Sequence, residues 1–88
     1  MSTLPNSREL EAQLTLREAA EVMVNTFGIS ADEAAGRIAR QFKHVDLTND
    51  NAMIGHEDAE FWARVVYYGP SVQWWRVPEE TLTPQPWP

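Results

Sequence analysis

Apolar residues recur at helical spacing between residues 16 and 27, and a glycine ends the run. They occupy the i, i+3, i+4, i+7, i+8 and i+11 positions of one helical face, namely Leu16, Ala19, Ala20, Met23, Val24 and Phe27. Gly28 suits the positive φ that often ends a helix. A second apolar pattern after Ser30 comprises Ala31, Ala34, Ala35, Ile38, Phe42 and Val45. Two such segments joined by a short turn predict a helical hairpin.

Three capping signals indicate where helices begin. In each, an Asn, Thr or Ser stands three positions before a Glu, so each side chain can bind the other's backbone N–H. The pairs are Asn6 with Glu9, Thr15 with Glu18, and Ser30 with Glu33. They predict a short N-terminal helix ahead of the hairpin.

The C-terminal third is rich in aromatic residues and allows two interpretations. The acidic start at 57–60 is typical of a first helical turn, and Phe61, Val65 and Tyr68 share a helical face. Residues 65–68 also have high strand propensity, so a β-hairpin of 61–68 with an extended 72–77 is the alternative. We predict a mainly α fold of about three helices with an extended aromatic, Pro-rich C-terminal segment, and keep α+β as the alternative.

The length of 88 residues is enough for one hydrophobic core. We expect a single globular domain over 1–78 and a Pro-rich tail over 79–88, either free or laid over the domain with Trp87 as an anchor. The absence of cysteine excludes disulfides and thiolate metal sites. With no signal-peptide pattern at the start and no run near the roughly 20 apolar residues that cross a bilayer, we expect a cytoplasmic protein without membrane contact.

The charge is strongly acidic, with 13 Asp and Glu against seven Lys and Arg and a net charge of −6. An acidic surface repels DNA and anionic membranes and attracts a basic partner. The expected partner is therefore another protein, with a basic one favoured. A second copy of the chain is an alternative, and nucleic acid ranks behind both.

Basic residues gather on the second predicted helix, where Arg37, Arg40 and either Lys43 or His44 share one side. With the Gly-containing turn before it, this segment resembles the helix-turn-helix family over about 30 residues. The resemblance implies a DNA-binding regulator whose second helix enters the major groove. The acids of that helix's first turn depart from the pattern because they would repel phosphate. DNA binding by these four residues is kept as an alternative function.

A polar loop follows this helix and carries oxygen-bearing side chains at loop positions 1, 3, 5 and 12. These are Asp46, Thr48, Asp50 and Glu57. The spacing resembles the EF-hand, which implies Ca²⁺ held by those four residues. Ile54 at the ninth position and Asn51 in place of the turn glycine depart from the pattern. A degenerate calcium site is the second alternative, an ordinary polar loop is the simpler interpretation, and no other cofactor is expected.

Seven large aromatic side chains lie within residues 61–88, more ring surface than so small a domain easily buries. About half should complete the core, and the remainder should form an exposed contact patch. The predicted partner-binding residues are Tyr67, Trp74, Trp75 and Trp87, with Glu18 and Glu21 steering a basic partner.

Catalytic patterns are missing from the sequence. His44 and His56 stand in polar sequence, and there is neither a Gly-x-Ser-x-Gly nucleophile motif nor a phosphate-binding glycine loop. We therefore predict a non-enzymatic protein-binding module that regulates or inhibits a basic, nucleic-acid-handling partner. Phages and mobile elements encode small acidic chains of this kind, so such an origin is an expectation by association.

Overall fold

Three α-helices form the body of the protein in the computed structural model, which describes residues 7–44 and 57–88, with side chains from Leu10 onward. They are α1 (Ser7–Phe27), α2 (Ala31–Gln41) and α3 (Ala59–Tyr68), followed by short 3₁₀ turns at Trp74–Arg76 and Glu79–Thr81. No strand occurs in the described ranges. The mainly α prediction is confirmed, and the alternative β-hairpin is wrong because residues 61–68 lie within α3.

Helix α1 is longer than the capping signals predict. Thr15, expected to begin a helix, lies inside a continuous helix of 21 residues. The chain has no glycine or proline between Ser7 and Phe27, so nothing interrupts the helical hydrogen bonds. The expected separate N-terminal helix is thus the start of α1, while the first predicted cap, Asn6, lies outside the described residues.

The other two helices begin at capped positions. Ser30 Oγ accepts a hydrogen bond of 3.0 Å from the backbone N–H of Glu33 at the start of α2. Asp58 Oδ1 accepts one of 2.9 Å from the N–H of Phe61 at the start of α3. Each cap satisfies an N–H group that a helix N-terminus leaves unpaired. Gly28, at φ 72°, makes the turn between α1 and α2.

The core lies where the three helices meet. Its fully buried residues are Ala19, Met23, Ala34, Ala63 and Val66, and a smaller cluster is formed by Ala12 and Leu16. Alanines from all three helices keep the side chains short at the centre, which allows the helix backbones to approach closely. The apolar spacing predicted on α1 therefore describes its buried side well.

On α2 the predicted apolar side is only partly correct. Ala34 is buried, but Ala31 and Ala35 are exposed, and Arg37 takes a buried position instead. The last residue of that predicted face, Val45, lies outside the described residues.

The C-terminal segment turns after α3 and packs on the helices. Residues 74–76, expected to be extended, form a 3₁₀ turn. The later part, 79–88, lies over α2 and α3, as the contacts of Gln85 and Trp87 below establish. None of the described helices combines the length and apolar character needed to cross a bilayer.

Candidate protein-binding surface

An apolar patch formed by Trp74, Trp75 and Val77, here called the tryptophan patch, lies just after α3. Trp75 is 60% exposed and Val77 is 47% exposed. Trp74 is half-buried, with its ring centroid 5.9 Å from that of Phe61 and 5.4 Å from that of Trp75. Successive residues of a 3₁₀ turn point about 120° apart, so Trp74 can face the helices only if Trp75 faces away.

A shallow depression of about 440 Å³ adjoins the tryptophan patch at the N-terminus of α3. Its lining combines aromatic and charged residues, namely Glu57, Asp58, Glu60, Phe61, Arg64 and Trp74. Its three acidic residues are all exposed. Carboxylates beside aromatic ring faces suit a cationic side chain, which gains both ion-pair and cation–π attraction. We call this feature the acidic depression.

The one cation in that lining, Arg64, is already paired. Arg64 Nη1 lies 2.6 Å from Glu60 Oε2, and its Nε lies 3.3 Å from Glu79 Oε2. Glu57 and Asp58 make no ion pair with any residue that the structure describes. The acidic depression therefore keeps an excess of negative charge.

Glu79 also accepts a hydrogen bond from the hydroxyl of Tyr68, which lies 2.8 Å from Glu79 Oε2. Tyr68 is buried, and this burial, together with the hydrogen bond to Glu79, raises the pKa of its hydroxyl well above the usual value. The contact ties the chain that follows the tryptophan patch to the end of α3.

Two of the predicted binding aromatics, Tyr67 and Trp87, belong to a different group of contacts. Tyr67 stacks on Phe27 with ring centroids 3.9 Å apart and is half-buried. The guanidinium carbon of Arg37 lies 5.1 Å from the Tyr67 centroid and 5.7 Å from that of Trp87. Trp87 is 39% exposed. Tyr67 and Trp87 thus enclose a cation of their own chain.

The segment from 84 to 87, here called the docked tail, donates hydrogen bonds to backbone carbonyls at the end of α3. The Gln85 backbone N–H donates to the carbonyl of Tyr67 at 2.8 Å, and its side-chain Nε2 donates to the carbonyl of Val66 at 2.9 Å. A helix C-terminus leaves such carbonyls without intrahelical partners. One glutamine therefore caps two of them from a distant part of the sequence.

Trp87 of the docked tail covers Gly36 in the middle of α2. A Cβ placed at Gly36 would lie 2.7 Å from Trp87 Cζ2, closer than real Cβ atoms approach a neighbour. The guanidinium of Arg40 lies over the same ring, with its central carbon 5.2 Å from the centroid, and Arg40 Nη1 donates to the carbonyl of Pro86 at 3.1 Å. The glycine therefore admits an indole ring against the helix backbone.

The four basic residues of the DNA-binding alternative do not form one accessible stripe. Arg37 is only 4% exposed and pairs with Glu33 at 2.8 Å, so in this arrangement it cannot reach a phosphate. Arg40 is exposed but engages the docked tail, whereas Lys43 and His44 are exposed. Arg37 is buried because Tyr67 and Trp87 cover it.

Most of the predicted calcium ligands, Asp46, Thr48 and Asp50, lie outside the described residues. The fourth, Glu57, is exposed and lines the acidic depression. Within residues 7–44 and 57–88, no group of three or more His, Asp and Glu side chains is arranged to hold a metal ion.

The predicted steering acids, Glu18 and Glu21, are exposed on α1. Neither lines the acidic depression, and Glu21 instead borders a groove between α1 and α2. The acids beside the tryptophan patch are those at the start of α3, which sequence reasoning assigned to a first helical turn and, for Glu57, also to a calcium loop. The Gly-Pro-Ser sequence at residues 69–71 signals that the helix ends there, but not the direction in which the chain then brings Trp74 to these acids.

No protein-family model matches this chain, and comparisons with curated proteins and with solved structures find no match either.

Proposed function

We propose that the protein is a non-enzymatic binding module that docks on a basic partner protein through the tryptophan patch and the acidic depression. The observation that carries the proposal is the 60% exposure of Trp75 beside Val77, at 47%. A tryptophan held in water next to a second exposed apolar side chain is typical of a contact surface. Interface tryptophans are also enriched among the residues that contribute most to binding.

The charge around the patch supports a basic partner. Glu57, Asp58 and Glu60 line the same depression as Trp74, and Arg64 is neutralised within its own chain. A lysine or arginine of the partner entering the acidic depression would meet carboxylates and two aromatic rings. Such complementarity accelerates association and selects against acidic proteins.

Regulation or inhibition of a nucleic-acid-handling protein in the cytoplasm is the role that we propose for this surface. Proteins that bind nucleic acid carry basic patches. An acidic module with an aromatic anchor would occupy such a patch in place of the nucleic acid. Trp75 would provide most of the affinity for the partner protein, and the acids at the start of α3 would provide the selectivity for a basic one.

The test is a comparison of quantitative affinity captures from the source cells with the wild type, Trp75→Ala and Thr83→Ala. Thr83 is exposed outside the tryptophan patch and serves as the matched control. Truncating a central interface tryptophan costs about 2 kcal/mol or more, so recovery of a specific partner should fall at least about tenfold. Thr83→Ala should recover the partner at the wild-type level.

A charge reversal, Glu57→Lys, tests the acidic depression separately. It should weaken capture of the same partner and reduce the dependence of capture on salt. Equal recovery by the wild type and Trp75→Ala would contradict the proposed anchor. A specific partner with an acidic surface would contradict the proposed partner class.

A further inference from the structure

Helix α1 carries a second stripe of side chains, apolar at its two ends, beside the side that packs on the core. Its members follow spacings of four, three, four and three residues, namely Leu10, Leu14, Arg17, Glu21 and Val24. Its last member, Val24, is half-buried and also packs against the core cluster. Leu10 and Leu14 are 47% and 46% exposed, although both belong to a residue type that is usually buried. We call this stripe the outer seam.

The spacing of the outer seam is that of helices packing along one another in a coiled coil. The core-facing side of α1 already packs on α2 and α3 through residues such as Ala19 and Met23. A helix that is apolar on two sides normally has neighbours on both. No residue that the structure describes packs over the outer seam closely enough to bury Leu10 or Leu14.

The charged residues of the outer seam determine what kind of helix can pack against it. The centre of the seam holds Arg17 and Glu21, both exposed. Neither makes an ion pair with a residue that the structure describes, in contrast with Arg37 and Arg64, which are both paired. The order along the seam is apolar, positive, negative, apolar.

A second α1 running antiparallel complements this order. With a two-fold axis midway between Arg17 and Glu21 on the seam, Arg17 of one copy faces Glu21 of the other, and Leu14 faces Val24. A parallel arrangement would instead place Arg17 against its own equivalent, and like charges that face each other oppose association. Ala31, a small exposed residue of α2, lines a groove of about 310 Å³ together with the seam residues Arg17, Glu21 and Val24. This groove leaves room for the second helix.

From this pattern we infer that the protein forms an antiparallel homodimer through the outer seam of α1. The interface is isologous, so each copy contributes the same stripe and the two ion pairs are equivalent. The tryptophan patch is not part of this dimer interface and remains accessible to another protein. The inferred dimer therefore does not depend on the proposed function.

The experiment is sedimentation velocity on purified protein from low micromolar to near-millimolar concentration, with two single charge reversals and their combinations. Wild type should dimerise with increasing concentration. Arg17→Glu and Glu21→Arg should each weaken the dimer at least about tenfold, because each places like charges together twice. Glu11→Arg, an exposed α1 position outside the seam, is the control and should dimerise as the wild type does.

Restoration distinguishes antiparallel pairing from a general effect of charge. An equimolar mixture of Arg17→Glu and Glu21→Arg should form heterodimers, and the double swap R17E/E21R should form homodimers again. Circular dichroism of each variant checks that α1 remains folded, and Leu14→Asp should abolish association with little loss of helicity. A wild type that stays monomeric throughout the range overturns the proposal. Single reversals that still dimerise, or a mixture that does not associate, also overturn it.

Discussion

Trp75 and Trp87 lie in the same irregular C-terminal segment, yet one is exposed and the other is docked. Trp87 rests on Gly36 between Arg37 and Arg40, while Trp75 has a ring contact with Trp74 at 5.4 Å. Both stand near prolines in irregular sequence, so the proline content does not separate them. The difference lies in α2, where a glycine leaves a flat surface that fits an indole.

Backbone hydrogen bonds reinforce this difference. The docked tail caps α3 through both nitrogen donors of Gln85 and receives Arg40 at Pro86. Among the described residues, the turn that carries the tryptophan patch has the local backbone bond from Arg76 N–H to the Gln73 carbonyl, at 3.0 Å. The docked tail is thus tied to the helices by hydrogen bonds to their backbone, whereas the tryptophan patch contacts them through the side chain of Trp74.

The largest effect on stability is expected from a substitution that fills the surface on which Trp87 packs. Gly36→Val places two methyl groups where the indole lies, and we expect a loss of about 2–3 kcal/mol in the free energy of unfolding, since overpacking costs about 1–3 kcal/mol and outweighs the small gain in helix propensity over glycine. Urea denaturation measures it.

In the matched control, a substitution at Gly36 should raise the free energy of unfolding instead of lowering it. In a Trp87→Ala background, Gly36→Ala should stabilise α2 by about 1 kcal/mol, because alanine is the better helix former once the ring is gone. In the wild-type background the same substitution should destabilise. If Gly36→Ala has the same effect in both backgrounds, the contact between ring and glycine contributes nothing.

Sequence reasoning identified the helices better than it identified these contacts. Ser30 and the acidic start of α3 are local signals, read within four residues, and the structure confirms the helices that they predict. The Gly36–Trp87 contact joins positions far apart in sequence, so no periodicity reveals it. Gly36, an unfavourable residue inside a helix, is a sequence signal that another part of the chain approaches α2 closely, but it does not say which part.

Arg37 illustrates a second limit. Helical spacing assigns a charged residue to the exposed side, but Arg37 is buried because its planar guanidinium packs against two rings and pairs with Glu33. The tryptophan patch was predicted only in part. Trp75 is exposed as expected, but the same count of rings could not tell that Tyr67 stacks on Phe27.

The junction between the two regions provides the next test. Tyr68→Phe removes the hydroxyl that Glu79 accepts, and a hydrogen bond to a charged group contributes about 1.5–3 kcal/mol, so we expect a loss of about 2 kcal/mol near neutral pH. Burial and the bond to Glu79 raise the pKa of Tyr68 in the folded protein. The protonated hydroxyl is therefore favoured by folding.

The sign of the pH dependence follows from this shift. The stability that Tyr68 contributes is fully present below the pKa of about 10 of an unfolded tyrosine and is lost as pH rises above it. The stability difference between wild type and Tyr68→Phe, measured by urea unfolding at about pH 8 and about pH 11, should shrink at the higher pH. A difference that stays constant or grows would show that Tyr68 is not protonated and bonded in the folded state.

A smaller effect is expected from Gln85→Ala, which tests the docked tail without touching its tryptophan. The backbone N–H of Gln85 can still donate to Tyr67, but the carbonyl of Val66 loses its side-chain donor. We expect a loss of about 1 kcal/mol in the free energy of unfolding and faster amide exchange in the last turn of α3. Gln73→Ala, an exposed glutamine in the same segment, is the control. Equal losses in the two variants would contradict a capping role for Gln85.

The smallest effect on stability should come from the residue with the largest proposed effect on binding. Trp75→Ala removes a ring that is 60% exposed, so the free energy of unfolding should change by no more than about 0.5 kcal/mol. Trp87→Ala, which loses a ring held by two arginines, should cost about 2 kcal/mol or more by the same urea assay. Similar costs for both variants would remove the distinction between a docked and a free tryptophan. A stability-neutral Trp75→Ala would agree with the proposed role of Trp75 in binding rather than in folding.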